Sequence, residues 1–196
     1  VRWQNDKEMI YPDQFIPVLE KNGYVIDVDN FIWNKVCACI KMMEDKGIEP
    51  VPISVNVSRM HVYQEKFTEN LKNMAGIDPK YIPLEITESA FTKEEGSLFK
   101  KVQSLQGYGF KFSMDDFGSG YSSLGMLKSE RVDEVKIDKT FVDDIATDKG
   151  KVLLGNVIRM INELGIDMIA EGVETKEQAD FLKENGCMYA QGYYYY

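Results

Sequence analysis

The chain has 196 residues, 44% of them hydrophobic, which is enough to bury the core of a single domain. Its formal net charge is −9, and this acidic balance argues against a protein that binds polymeric nucleic acid or an anionic membrane surface. No apolar run approaches the length of a membrane span, and the N-terminus has no signal-peptide pattern. We therefore expect a cytoplasmic domain, with no membrane contact from this segment.

The N-terminal part predicts two helices and a strand. Residues 12–20 have the apolar spacing of a short helix, and residues 27–46 have that of a long amphipathic helix, with Asp27 as its N-cap and Gly47 as its stop. The β-branched run 52–57 then predicts a strand that ends in a polar residue. This order begins an alternation of helices and strands.

Cysteine and histidine usage gives no sign of a zinc site. Cys37, Cys39 and Cys187 lack CxxC spacing and lie in apolar surroundings, as expected for reduced core residues. The single histidine, His61, follows the first predicted strand in a polar stretch, so we expect it at the surface.

Strands and helices continue to alternate along the chain. The six predicted strands start near residues 53, 83, 110, 132, 167 and 188. Regular alternation predicts a parallel sheet with crossover helices, and thus an α/β fold. Six strands fit a TIM-like (β/α)8 barrel that lacks about its first two strands, while an open doubly wound sheet is the alternative. No GxGxxG motif follows the first strand, which argues against a dinucleotide-binding domain. The run Tyr193–Tyr196 is expected to continue the last strand.

Adjacent carboxylates at Asp115 and Asp116 stand out at the end of the third predicted strand. Gly118 and Gly120 follow, so the backbone can turn there and bring both side chains together. Such a pair is either an acidic turn before a helix or a cation site, because like charges this close repel each other.

Polar residues also lie at or near the ends of the other apolar strands. They are Asn56, Glu85, Lys136, Glu171 and Gln191. Each has a structural alternative: Asn56 could cap a turn, Lys136 and Glu171 could form a buried ion pair, and Gln191 could bond to backbone. In a helix-covered parallel sheet, however, a polar residue on every strand is typical of a catalytic rim.

The residue types suit divalent metal chemistry. Carboxylate and amide oxygens are ligands for Mg²⁺ or Mn²⁺, and two adjacent aspartates can serve two ions. Two such ions roughly 3.5–4 Å apart can activate water for in-line attack on a phosphodiester. Lys136 could orient the water or neutralise charge, and Glu171 could accept its proton or ligate an ion.

Seven stretches match one known family in order. They are VRW with PDQFIPVLE (1–3, 12–20), SVNVS (54–58), LEITES (84–89), DDFGSGYSSL (115–124), VKIDKTFV (135–142), AEGVET (170–175) and GCMYAQGY (186–193). Through them the chain resembles the EAL domain family, the cyclic-di-GMP-specific phosphodiesterases of bacterial signalling, as a single domain over residues 1–196.

The resemblance implies a role for each matching residue. Asn56, Glu85, Asp115 and Asp116 are similar to metal ligands of the family, which bind two Mg²⁺ or Mn²⁺ ions. Glu171 matches a ligand or general base, and Lys136 the lysine that positions the attacking water. Gln191 is similar to a glutamine at the metal–substrate site, and Arg2 to an arginine that contacts the substrate phosphate. Glu88 resembles the carboxylate that anchors the loop after Asp116, and in the family this loop couples the site to dimerisation.

Two departures from the family pattern qualify these expectations. The signature glutamate would lie three residues before Val1, and the segment that normally follows QGY is short. We therefore expect a partial EAL domain, lacking about two strands and the C-terminal end. The resemblance implies phosphodiesterase activity for the intact domain, and it leaves the activity of this segment open because the signature glutamate is a metal ligand in the family. The expected partners are cyclic di-GMP as substrate and a second copy in a homodimer. The alternative function is a catalytically inactive EAL-like receptor for cyclic di-GMP.

Overall fold

The structure is a computed structural model that describes residues 2–4, 8–74, 76–91, 95–118, 127 and 132–195. It comprises two compact units: the first contains Val1–Leu84 and Ser104–Phe110, and the second contains Glu85–Gln103 and Lys111–Tyr196. Most of the predicted glycine loop, including Gly120, lies outside the described residues. Within the described part of the chain, every helix is too short or too polar to cross a membrane.

The first unit is mainly helical. Its elements are β1 (Trp3–Gln4), β2 (Met9–Ile10), α1 (Pro12–Asn22), α2 (Val25–Asp45), β3 (Val55–Asn56), α3 (Arg59–Val62), α4 (Phe67–Lys72) and a 3₁₀ turn (Pro79–Tyr81). Strands β1 and β2 form an antiparallel pair that the sequence patterns did not predict. Helices α1 and α2 and strand β3 occur in the predicted order.

Helix α2 begins earlier than predicted. Gly23 takes a left-handed conformation with φ 82° and joins α1 directly to α2, whose N-cap is Tyr24. The prediction of Asp27 as N-cap is therefore wrong, and Asp27 lies in the first turn of the helix. The predicted stop at Gly47 is confirmed, because its φ is 68° and its N–H donates to the carbonyl of Glu44.

The core of the first unit contains the histidine that was expected at the surface. His61 is only 1% exposed, so that prediction is wrong. Ser58 caps α3, and the helical turn that follows brings the imidazole ring of His61 against Trp33. Cys37, like Cys187 of the second unit, is buried as predicted, whereas Cys39 is half-buried.

The second unit alternates strands and helices. Apart from Leu84 and residues 104–106, which are counted with the first unit, its elements are β4 (Leu84–Thr87), α5 (Glu88–Phe91), α6 (Glu95–Gln106), β5 (Phe112–Phe117), β6 (Glu134–Ile137), α7 (Lys139–Asp143), α8 (Asp148–Glu163), β7 (Asp167–Ala170), α9 (Lys176–Glu184) and β8 (Tyr189–Ala190), with 3₁₀ turns at Asp144–Ala146 and Tyr193–Tyr195. Together with β3, these strands occupy the six predicted positions.

The sheet of this unit is parallel and keeps the order of the chain. Strand β5 pairs with β6, β6 with β7 and β7 with β8, all in parallel. Since the order of these strands does not reverse, the doubly wound alternative is wrong for this part of the sheet. Val135 and Ile137 are fully buried on β6, as expected where helices cover a parallel sheet.

The last strand is shorter than predicted. Tyr193–Tyr195 forms a 3₁₀ turn with exposed rings, so the predicted strand continuation is wrong. Gly192 has φ 155°, and its backbone lies so close to Val173 that a Cβ atom would overlap it. The N–H of Tyr194 then donates to the carbonyl of Val173, which turns the chain away from the sheet.

Candidate metal centre

Three carboxylates meet at the ends of two strands of the second unit. Asp115 and Asp116 lie near the end of β5, Glu171 follows β7, and one oxygen of each lies within 4.8 Å of the others. All three side chains are half-buried. Among the described residues this is the only group of three or more acidic, histidine or cysteine side chains close enough to hold one metal ion.

The backbone of Asp116 explains how adjacent residues share one site. Neighbouring side chains on a regular strand point to opposite faces. Asp116 has φ 56°, and it is the only described non-glycine residue in the left-handed region. The pairing of β5 with β6 also shifts register between Met114 and Phe117. This irregularity lets both carboxylates reach Glu171, at a conformational cost of about 1–3 kcal/mol.

Lys136 lies among the carboxylates. It lies in β6 between the buried residues Val135 and Ile137 and is only 8% exposed. Its Nζ lies 2.8 Å from Glu171 Oε1, 3.0 Å from Glu85 Oε1 and 3.4 Å from Asp115 Oδ1. The structure thus brings four polar side chains from separate strands together, and the ion pair between Lys136 and Glu171 is present.

The lysine remains charged despite its burial. Burial by itself lowers the pKa of Lys136, but the hydrogen bond to Glu171 and the charges of Asp115 and Glu85 outweigh it and raise the pKa above its ordinary value. Lys136 is therefore a fixed cation at neutral pH and cannot act as a general base.

Two of the carboxylates hold protons more strongly than usual. The pKa of Asp116 is raised by burial and by the charges of Asp115 and Asp138, against a smaller opposite effect of Lys136. Burial likewise raises the pKa of Glu171, although its hydrogen bond to Lys136 lowers it in part. Excess negative charge is thus concentrated here, and a bound cation would relieve the repulsion.

The donor set fits a hard divalent cation. Asp115, Asp116 and Glu171 offer only oxygen ligands, which suit Mg²⁺ or Mn²⁺ better than softer metals. These three residues could hold such an ion directly. Glu85 reaches the cluster through Lys136 and could join it when a cation displaces the lysine.

Gln191 and Glu88 form hydrogen bonds next to the carboxylate cluster, one to Glu171 and the other to the backbone that follows Asp116. Gln191 Nε2 donates to Glu171 Oε1 at 2.6 Å, so that oxygen accepts from both the glutamine and Lys136. Glu88 is 1% exposed, and its Oε2 accepts the N–H of Gly118 at 3.2 Å. The side chain of Glu88 thus holds the backbone just after Asp116.

The remaining predicted site residues belong to the first unit. Asn56 ends β3 with an exposed side chain, and its backbone carbonyl accepts the indole N–H of Trp33 at 3.1 Å. The guanidinium of Arg2 lies 5.7 Å from the centre of the Tyr11 ring, a cation–π contact. Metal binding by Asn56 and substrate binding by Arg2 stay predictions.

Sequence reasoning missed Asp138. This residue directly follows β6, and its carboxylate caps α7 by accepting the N–H of Thr140 at 2.9 Å. Its charge contributes to the raised pKa of Asp116. The rule that selected the other strand-end residues, a polar residue after an apolar strand, also applies to Asp138 and could have found it.

Comparison with known proteins agrees with this geometry. The model of the EAL domain matches residues 1–196. Oxygen sensor protein DosP of Escherichia coli (strain K12) is 35% identical over 188 residues, which cover 94% of this chain and 24% of DosP. Cyclic di-GMP phosphodiesterase PdeL of the same strain is 32% identical over 203 residues, covering all of this chain and 55% of PdeL.

A solved structure shares the fold. The PaMucR phosphodiesterase in complex with c-di-GMP superposes with a TM-score of 0.91 and 30% identity, covering 98% of this chain and 80% of that one. The predicted TIM-like α/β fold is thereby confirmed. The chain spans about a quarter of the length of DosP and about half of that of PdeL. On the match over residues 1–196, the chain belongs to the EAL domain family.

Proposed function

We propose that this chain hydrolyses a phosphodiester bond of cyclic di-GMP to give linear pGpG, using two Mg²⁺ or Mn²⁺ ions. The observation that carries the proposal is the group of three half-buried carboxylates with a buried lysine beside it. The names of PdeL and PaMucR point to the same substrate and reaction for relatives of similar sequence.

We assign the metal ligands as Asn56, Glu85, Asp115, Asp116 and Glu171. When bound, divalent cations supply Lewis acidity toward phosphoryl oxygens and lower the pKa of water. Arg2 would contact a substrate phosphate. Glu88 would keep Asp116 in place, since its carboxylate holds the N–H two residues further along the chain.

Three side chains of the protein would orient the water, accept its proton and hold the proton acceptor in place. Lys136 stays protonated, so it can orient the attacking water and offset negative charge that develops on the phosphoryl group. Glu171 has a raised pKa and can accept the proton of that water. Gln191 fixes the oxygen of Glu171 through its 2.6 Å hydrogen bond, which sets the direction of the proton acceptor.

The test is turnover of cyclic di-GMP by the chain in the presence of Mg²⁺, with pGpG measured chromatographically. Asp115→Asn is expected to abolish the reaction. Asp180→Asn is the matched control, because Asp180 is exposed and forms an ion pair with Lys176, also exposed, rather than with any residue of the site. If wild type forms no pGpG, the hydrolase proposal is wrong; binding without cleavage would identify a receptor instead.

Two further predictions accompany this proposal. We expect the intact domain to form a homodimer and to act in the cytoplasm. Sedimentation of the chain with and without cyclic di-GMP would measure its oligomeric state.

A further inference from the structure

A buried polar network in the first unit serves no step of the mechanism described above. Asp29 and Trp33 lie four residues apart on α2 and are 5% and 3% exposed, and His61 of α3 is 1% exposed. Burying such groups is unfavourable unless they are hydrogen-bonded, so their partners matter.

The network holds the chain on both sides of the turn that follows β3. Asp29 Oδ2 accepts the backbone N–H of Ser58 at 3.1 Å and lies 3.2 Å from His61 Nδ1. Trp33 Nε1 donates to the backbone carbonyl of Asn56 at 3.1 Å. Asp29 and Trp33, on one face of α2, therefore make three polar contacts with the segment 56–61.

Ring packing makes this arrangement rigid. The indole of Trp33 stacks on the imidazole of His61 with centroids 4.3 Å apart and planes 7° apart. The ring of Phe67 also lies against His61, with centroids 5.8 Å apart and planes inclined by 61°. The indole is thus held where its N–H meets the carbonyl of Asn56, so the backbone of Asn56 cannot rotate without breaking buried contacts.

We propose that Asp29, Trp33 and His61 are positioning residues that hold the backbone from which the Asn56 side chain extends, and thereby set the affinity for divalent cations. The inference rests on the proposed function, in which Asn56 is a metal ligand. Ligand orientation matters because Mg²⁺ demands a nearly ideal octahedral geometry. Groups that orient ligands typically change metal affinity about 10–100-fold when removed.

Titration calorimetry with MnCl₂ on the 196-residue chain tests the inference. Trp33→Phe keeps an aromatic ring on His61 but removes the N–H donor to Asn56, and we expect roughly tenfold weaker Mn²⁺ binding. Asn56→Ala should weaken binding at least as much. Leu71→Ala is the control, since Leu71 is buried in the same unit and takes no part in the hydrogen bonds and ring contacts described for the network. Its truncation should lower the melting temperature.

The outcomes separate two kinds of failure. If Asn56→Ala weakens Mn²⁺ binding but Trp33→Phe binds like wild type, the positioning role is wrong and the proposed ligand stands. The inference is also wrong if Leu71→Ala weakens binding as much as Trp33→Phe, because the effect is then general destabilisation. Wild-type affinity of Asn56→Ala would remove Asn56 from the ligand set itself. Should Trp33→Phe fail to fold, Asp29→Asn carries the same test with a smaller change in volume.

Discussion

Replacing Lys136 by methionine tests whether this lysine acts as the cation of the site when metal is absent. The change removes a buried ammonium group that contacts Glu85, Asp115 and Glu171. Removing one partner of a buried ion pair leaves an uncompensated charge and destabilises a protein by about 3–5 kcal/mol. For a chain of this size that corresponds to a melting temperature lower by about 6–20 °C.

The loss should depend on pH in a definite direction. The raised pKa of Lys136 means that its stabilising effect is fully present below its ordinary value and is lost only when the pH rises past the folded-state value. In the variant the pKa of Glu171, already raised, should rise further. A raised carboxylate pKa favours the folded state at low pH, so the deficit of the variant should be smaller at pH 5 than at pH 8.

Thermal unfolding in EDTA and in Mg²⁺ measures both effects, with Lys139→Met as the control. Lys139 also contacts two carboxylates, those of Asp143 and Glu174, but its side chain is 42% exposed. We expect its replacement to cost less than about 1 kcal/mol, as exposed pairs do. Mg²⁺ should stabilise Lys136→Met more than wild type. Equal melting temperatures of the two variants in EDTA would refute the reasoning.

Further predictions concern the backbone and the charge at the proposed metal ligands. Gly118→Ala should lower stability by about 2–5 kcal/mol, combining a left-handed φ of 98° with overlap of the new Cβ and the ring of Phe141. Gly47→Ala, with φ 68° and open space around the new Cβ, should lose only the backbone contribution of about 1–2 kcal/mol, and urea unfolding of both variants measures the difference. Asp116→Asn should raise the melting temperature of the metal-free chain, because its carboxylate has a raised pKa among like charges, and should abolish stabilisation by Mg²⁺. An unchanged Mg²⁺ response of Asp116→Asn would contradict its role as a ligand.

The positions of the strands could be predicted because each is an apolar run bounded by turn residues. Glu85, Lys136 and Glu171 could be predicted as site residues because they are polar residues in or next to these apolar runs. In a parallel sheet such residues lie at the same edge, and the three side chains are in contact through Lys136. The left-handed backbone of Asp116 could not be predicted, since it depends on a register shift between β5 and β6.

The errors also have physical causes. His61 lies in a polar stretch, but Asp29 and Trp33, about thirty residues earlier, provide the partners that allow it to be buried. Local sequence does not show contacts across that separation. The Tyr193–Tyr195 turn was predicted as strand because aromatic residues favour strands, whereas the close approach of Gly192 to Val173 overrides that preference.

The charges around Lys136 imply an order of events in binding. Four carboxylates, those of Glu85, Asp115, Asp116 and Glu171, surround or neighbour one ammonium group, so the metal-free site is strongly negative. A phosphodiester is an anion and would be repelled from this surface. Divalent cations, if bound as proposed, would reverse the sign of the local field. We expect an ordered mechanism in which cations bind first, so that their concentration controls access of the substrate to the site.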